Sequence, residues 1–481
     1  MNSLVHDLAI LLPELILALS GMALLILGVF RGKERAIGVL SFFSVAAMAL
    51  AAYYVVMPIT PDIRAFAGAF IEDGFARFSK VLILLGSAVT IWMSQSFLVR
   101  EKMARFEFPV LVVFATLGML LMVSASSFLA LYLGLELQSL SLYVLAAFNR
   151  DSVRSSEAGL KYFVLGALSS GMMLYGISLI YGFTGATDFA HVAEVVRETP
   201  VSIGLIFGLV FLIAGLAFKV AAVPFHMWTP DVYEGSPTPI TAFFSMAPKV
   251  AAMALFLRAV IVPFPSAVHQ WQQIILATSI LSMILGAVAA IGQTNIKRLM
   301  AYSSIGHMGY TLLGLAAGST AGVEGVLVYL TIYLVTNAGI FACILAMKRD
   351  GVMVETIADL AGLARTQPRL ALAFAIFMLS LAGLPPFAGF FAKFYVFLAA
   401  VDAHLYVPAT IGVLASVVGL YYYLRVVKVI YFDEPSQAFD RDMGLALGTI
   451  MAGSGVFTLF FIVAAAPVVA LAQFGAKALI P

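Results

Sequence analysis

Residues 218–256 read FKVAAVPFHMWTPDVYEGSPTPITAFFSMAPKVAAMALF, and this stretch decides how the chain is read. Lys219 and Lys249 stand in sequence apolar enough for lipid, and Pro224 follows Lys219 by five residues inside an expected helix. A charge at the centre of a membrane helix costs roughly 2.5–3.5 kcal/mol on insertion scales. Proline removes a helical hydrogen bond and frees a carbonyl. In a bilayer such a break survives only where protein or water satisfies the freed groups.

The surrounding chain supplies the bilayer context. Its 481 residues are 62% hydrophobic and 11% charged, with a mean hydropathy of +1.04. Soluble domains carry about a quarter charged residues, so the composition is that of an all-α polytopic membrane protein. The net charge of +2 gives no argument for nucleic acid. A single cysteine, Cys343, excludes a disulfide framework and an iron–sulfur cluster ligated within this chain. No phosphate-cradling loop and no metal-spaced Cys/His cluster occurs, so neither a nucleotide site nor a metal site is expected.

About 20 apolar residues cross a bilayer as a helix. That ruler gives about fourteen spans, near 8–29, 36–57, 74–98, 107–123, 126–148, 158–183, 201–228, 238–262, 271–291, 296–318, 322–347, 370–400, 404–430 and 443–470. The first run is expected to be a retained span, since it lacks a basic leader region. Loops after odd-numbered spans hold 18 Lys and Arg, Lys33 and Arg35 among them. The opposite loops hold 6, including Arg77, Lys80 and Arg258, and the remaining lysines are Lys219, Lys249 and Lys393, inside spans. The positive-inside rule then puts both termini on the outer side.

Among the acidic residues, Glu136 in LYLGLELQSLSLYVLAAF (131–148) reads as the one deep in a span, whereas Glu14, Glu107 and Glu324 are expected near span ends, at headgroup level. Pairing with Glu136 would account for one lysine and leave two without an acid. An unpaired buried lysine loses preference for its charged form and can exchange a proton near working pH. The twelfth span, LSLAGLPPFAGFFAKFYVF (379–397), repeats the juxtaposition of a break with a lysine: Pro385 and Pro386 precede Lys393. Interrupted helices carrying a polar group are the sequence pointer to an ion site in transporters. Spans 7 and 12 are five apart, so spans 4–8 and 9–13 are expected to form two inverted five-helix repeats. The expected units are 1–106 (three helices), 107–262, 263–432 and a last helix in 433–481. In this register Glu136 in span 5 corresponds to His307 in span 10, the one histidine well inside a span. His307 lies near Tyr302, Ser303, Ser304 and Tyr310 and is read either as a packing residue or as a proton carrier between Lys249 and Lys393. His226, near a span end, is a poor haem ligand.

The stretch at 218–256, with IKRLMAYSSIGHMGY (296–310) and LAGLPPFAGFFAKF (381–394), resembles the antiporter-like proton-translocating membrane subunits of respiratory complex I (NADH–quinone oxidoreductase) and of Mrp-type cation/proton antiporters. The resemblance covers roughly residues 107–430. SSEAGLKYFVLGALSSGMMLYGISLIYGFTG (155–185) is closest to the subunit-N branch, and the short C-terminus is expected to leave no room for the long lateral helix of the L branch. The resemblance implies Glu136 and Lys219 as a coupled pair, Lys249 as central relay and Lys393 as exit-side residue. It also implies NADH, FMN, iron–sulfur clusters and quinone in partner subunits and none here, M-like and K-like membrane neighbours, and a bacterial inner membrane. A cation/proton antiporter subunit and a non-conducting membrane scaffold remain the alternatives.

Overall fold

The computed structural model describes residues 2–31, 37–57 and 63–480. Its helices in chain order are α1 (Asn2–Ile10), α2 (Leu12–Arg31), α3 (Ile37–Val56), α4 (Gly74–Arg100), α5 (Glu107–Val123), α6 (Phe128–Ala146) and α7 (Val153–Thr184). There follow α8 (Phe189–Glu198), α9 (Ile203–Val220), α10 (Trp228–Gly235), α11 (Thr238–Ser245), α12 (Ala247–Ile261), α13 (Val268–Ile291) and α14 (Ile296–Ala316). The last six are α15 (Thr320–Leu345), α16 (Leu363–Thr366), α17 (Pro368–Ala382), α18 (Ala388–Asp402), α19 (Tyr406–Phe432) and α20 (Gly444–Leu479). Two short antiparallel hairpins, Ile63–Ala65 with Phe70–Glu72 and Lys348–Arg349 with Val352–Met353, lie in connections. Among the described residues, 11 helices are long and apolar enough to cross a membrane. Every apolar run read from the sequence contains helix, and the seventh, eighth and twelfth are interrupted.

The helices are nested. The stretch Thr238–Ile261 is wholly enclosed by the rest of the chain and Thr320–Leu345 nearly so, whereas outer spans such as Tyr406–Phe432 bury about a third of their residues. Close approach is bought by small residues. A Cβ added to Gly286 on α13 would come 2.5 Å from the Gly306 nitrogen on α14, so the two backbones touch beside His307. Starts are capped by short polar side chains: Asn295 accepts from the Lys297 and Arg298 amides, and Ser202 from Leu205.

Four expectations are corrected. Pro224 lies outside helix: α9 stops at Val220 and the chain resumes helix at Trp228. Span 8 is interrupted too, because Met246 (φ −109°, ψ −99°) separates α11 from α12 three residues before Lys249, and proline at 248 removes an amide there. Glu14 does not reach headgroups. It is buried, with Oε1 2.6 Å from the Lys80 ammonium, which also contacts Glu72. Lys80 and Arg258, assigned to loops, are buried inside α4 and α12; Arg258 grips Asp73 through two hydrogen bonds of 2.7 and 2.8 Å. Buried ions persist when paired, and a count of loop charges cannot distinguish these pairs from solvated ones. Lys33 and Arg35 lie outside the described residues.

Candidate functional site

Helix α9 ends in a left-handed residue, Ala221 (φ 62°), and the Ala222 amide turns back to the Ala217 carbonyl at 2.8 Å. Helix α17 ends in the same way: Gly383 has φ 85° and the Leu384 amide bonds to Leu379 at 3.2 Å. Both connections contain a cis X–Pro bond, Val223–Pro224 and Pro385–Pro386. This closure satisfies part of each helix end and leaves carbonyls that need donors.

Lysines fill that need. Lys249, in the first turn of α12, donates to the carbonyl of Val220, the last residue of α9, at 2.9 Å. Lys393, on α18, donates to the carbonyl of Ala382, the last residue of α17, also at 2.9 Å, and to Ser416 Oγ at 2.8 Å. No acid lies within ion-pair distance of either among the described residues, as the sequence suggested. What the sequence missed is the substitute: the carbonyl end of a helix carries about half a negative charge, which favours a cation there. Aromatic faces add to it, Trp228 lying 5.5 Å from the Lys249 ammonium and Tyr310 5.0 Å from that of Lys393.

Glu136 and Lys219 do not form the direct pair. Lys219 Nζ donates to Ser139 Oγ at 2.8 Å and lies 3.5 Å from the Tyr143 hydroxyl, while Glu136 accepts from Ser170 Oγ at 2.5 Å. Ser139 is one helical turn beyond Glu136 on α6, so it meets the ammonium first. Lys219 is buried, whereas Glu136 is half-buried towards the outside of the chain.

His307 is held between two phenols, with Nδ1 2.5 Å from Tyr329 OH and Nε2 3.0 Å from Tyr423 OH. Tyr423 continues to Ser303 at 2.5 Å, and Tyr333 donates to Ser304 at 2.9 Å. Each of these bonded groups can donate and accept, which is the requirement for passing a proton along a chain. A cavity of about 10 Å3, room for one water, is shared by His307, Tyr310, Ser416 and Lys393. Of the neighbours named from the sequence, Ser303, Ser304 and Tyr310 belong to this group. Tyr302, the fourth, is half-buried and no hydrogen bond links it to His307. Tyr329, Tyr423, Ser139 and Ser416 were missed. The run of three tyrosines at 421–423 in an apolar span was the available signal for Tyr423.

No group of three or more His, Cys, Asp or Glu that could hold a metal occurs among the described residues. Lys393 and Gly383 also line an apolar cavity of about 470 Å3 with Phe394, Phe397, Val413 and Val417, open at the exposed outer face of α18 and α19.

The family model for the NADH:quinone oxidoreductase/Mrp antiporter transmembrane region matches residues 125–419. The NADH-quinone oxidoreductase subunit N of Azorhizobium caulinodans is 60% identical over the whole of both chains. Among solved structures, a chain of respiratory complex I from Thermus thermophilus is 34% identical, covers 96% of this chain and 99% of its own, and superposes with a TM-score of 0.82. A chain of the Mrp complex from Dietzia is 23% identical, covering 98% and 97%, and shares the fold with a TM-score of 0.86. The chain therefore belongs to the NADH:quinone oxidoreductase/Mrp antiporter family of membrane subunits, in its NADH-quinone oxidoreductase subunit N branch.

Proposed function

We propose that this chain carries protons across a bacterial inner membrane as a membrane-arm subunit of NADH–quinone oxidoreductase, driven by quinone reduction in neighbouring subunits. The observation that carries the reading is the pair of acid-free lysines, Lys249 and Lys393, each bonded to the carbonyl that ends an interrupted helix. A fixed ion pair would hold its proton. A lysine facing a partial charge can give the proton up and remain hydrogen-bonded, because neutral amine still donates. Lys219 is the first member of the chain, tuned by Glu136 through Ser139, Tyr143 and Ser170; His307 lies between Lys249 and Lys393, and Lys393 stands at the far end. The halves 107–262 and 263–432 act as inverted repeats, each with a proline-containing helix break at its fourth span, and both termini face the periplasm. NADH, FMN, iron–sulfur clusters and quinone belong to partner subunits.

The cation/proton antiporter reading shares these lysines, but 60% identity to subunit N against 23% to the Mrp chain favours the respiratory role. The scaffold reading has one observation of its own: the lysines cap helix ends, which is also a packing role. Lys219→Met in native membranes separates the readings, since Lys219 caps neither break. NADH-driven pumping and quinone reduction are measured beside assembly on native gels. Assembly retained with both activities strongly reduced is the expected result. Normal pumping would make Lys219 a packing residue.

A further inference from the structure

At the end of the bundle where α3 finishes, α4 starts and α20 finishes, these helices and α15 enclose a cavity of about 350 Å3. Val55, Phe78, Val81, Val468, Leu471 and Phe474 form its walls, and Arg77 is the one charged group lining it among the described residues. Thr331, the other polar side chain there, donates its hydroxyl to the Leu327 carbonyl at 2.9 Å. Thr331 is two residues from Tyr329 and from Tyr333, about 200° round α15. The cavity is therefore on the opposite side of that helix from the phenols beside His307. Arg77 stands in the first turn of α4 with its side chain 19% exposed. Its Nε is 3.7 Å from Glu72, whose carboxylate also contacts Lys80. Lys477, exposed, is one turn beyond Phe474 on α20. Tyr53 and Tyr54 stand in the last turn of α3, beside Val55, and tyrosines at a span end mark the headgroup region. Val56, Leu471 and Phe474 are each more than half exposed, so the cavity opens on the outer surface of the chain.

Size and charge together select the occupant. One turn of a helix with its side chains, about 10–12 Å across and 5.4 Å high, fills roughly 500 Å3. The cavity holds less than that, so a partner helix cannot seat in it, whereas an extended hydrocarbon chain can. Lipid tails are as apolar as these walls, so the hydrophobic effect gives a chain no preference for the cavity over bulk bilayer. Retention then depends on a polar anchor at the mouth. A guanidinium has five donors in a planar fork that matches phosphate, so contact with one carboxylate leaves it able to hold a phosphate oxygen as well. The acids on this rim are engaged: Glu72 with Arg77 and Lys80, Asp73 with Arg258, and Glu324 accepting from Gln473. We propose that this cavity is a phospholipid site: one acyl chain of a lipid in the adjoining leaflet lies between α3, α4 and α20, and its phosphodiester is held by Arg77 and Lys477. The site is independent of the proton relay and joins the N-terminal helix α3 to the C-terminal helix α20 through a molecule that is not part of the chain.

The test places the assembled complex in phospholipid vesicles that contain a trace of phosphatidylglycerol carrying a photoreactive diazirine on one acyl chain. After illumination, labelled peptides are quantified by mass spectrometry. In the parent, peptides holding Phe78–Val81 and Val468–Phe474 are expected to carry several-fold more label than the exposed apolar face of α2 at Leu25 and Ile26. Leu471→Trp fills the cavity and Arg77→Gln removes the fork. Each is expected to lower the cavity label several-fold and to leave the α2 label unchanged. Diacylglycerol with the same reactive chain has no phosphate and is expected to label the cavity no more than α2. Three results overturn the proposal: cavity label equal to that of α2 in the parent, cavity label unchanged in Leu471→Trp, or equal cavity label from the two lipids. Arg77 also belongs to a buried ion cluster, so Arg77→Gln can fail to assemble. Lys477→Gln, exposed on α20, then reports on the anchor, with a smaller loss of cavity label expected and no loss counting against the phosphate contact.

Discussion

The two helix breaks that contain proline turns, at 221–227 and 383–387, use one device in two settings. In both, the chain leaves the helix through a left-handed residue and an amide reaching back five residues, and a lysine takes the last carbonyl at 2.9 Å. The first break receives its lysine from another helix, 29 residues on, and is enclosed: Lys249 is 1% exposed. The second receives it from the helix that continues the same span, 11 residues on, and borders the 470 Å3 cavity on the outer face of the chain. The chemistry of the ammonium is set by the helix end, and its access is set by what stands behind it. An enclosed lysine exchanges protons only with its protein neighbours. One beside a cavity can exchange with whatever enters.

The largest test of this contrast is at the second cap. Gly383 has φ 85°, and a Cβ there would sit 2.9 Å from Lys393 Cδ and 3.0 Å from Nζ. Gly383→Val is expected to cost about 1–2 kcal/mol for the left-handed backbone, plus roughly 1–3 kcal/mol for displacing packed atoms. Lys393 would be pushed off the Ala382 carbonyl. Thermal inactivation of the assembled complex should fall to lower temperature and pumping should fall with it; unchanged pumping would mean that the lysine–carbonyl bond is dispensable. Next in size is a paired exchange. Lys249→Arg forces a larger, forked cation into an enclosed site and is expected to lose most turnover, at a packing cost of about 1–3 kcal/mol. Lys393→Arg has the cavity to expand into and should retain more. Equal losses at both positions would erase the distinction between the breaks.

How much of this was legible in the sequence follows from which interactions are local. Apolar length fixes the spans, and the pairing of a proline with a lysine marks both breaks, because each depends on a few consecutive residues. The partner of each lysine was not legible. Val220 and Ala382 look like any apolar residue, and what matters is that their carbonyls end a helix. The break at Met246 was legible only through Pro248, two residues on, a signal missed because the apolar run continues through it. Glu14, Lys80 and Arg258 were misplaced for a related reason. Lys80 pairs with both Glu14 and Glu72, and Arg258 with Asp73; Glu72 ends a hairpin that folds back into the bundle and Asp73 caps α4 directly after it, so charges near span ends become buried pairs. His307 was legible as a deep histidine, but its phenol partners sit 22 and 116 residues away.

The smallest effect concerns how the first break is tied to the second half of the chain. Asp231 on α10 bonds to Lys161 of α7 at 2.6 Å and to Arg298 of α14 at 2.8 Å. Partial burial alone would raise its carboxyl pKa, but the hydrogen bonds and charges of Lys161 and Arg298 outweigh burial and hold it below the ordinary value of 3.8. A depressed pKa means that the folded state favours the ionised form. The tie is therefore fully present above the ordinary carboxylate range and is lost as pH falls through the depressed value. Across neutral pH it is constant, and being one-third exposed it contributes less than about 1 kcal/mol. Asp231→Asn is expected to lower the inactivation temperature slightly at neutral pH and to remove part of the acid-side decline seen in the parent. Lys393 has no such tie to α10, so Gly383→Val should show the parent's acid dependence unchanged. If Asp231→Asn leaves the acid-side profile intact, the two breaks are coupled through the interior hydroxyl and imidazole groups and not through this surface cluster.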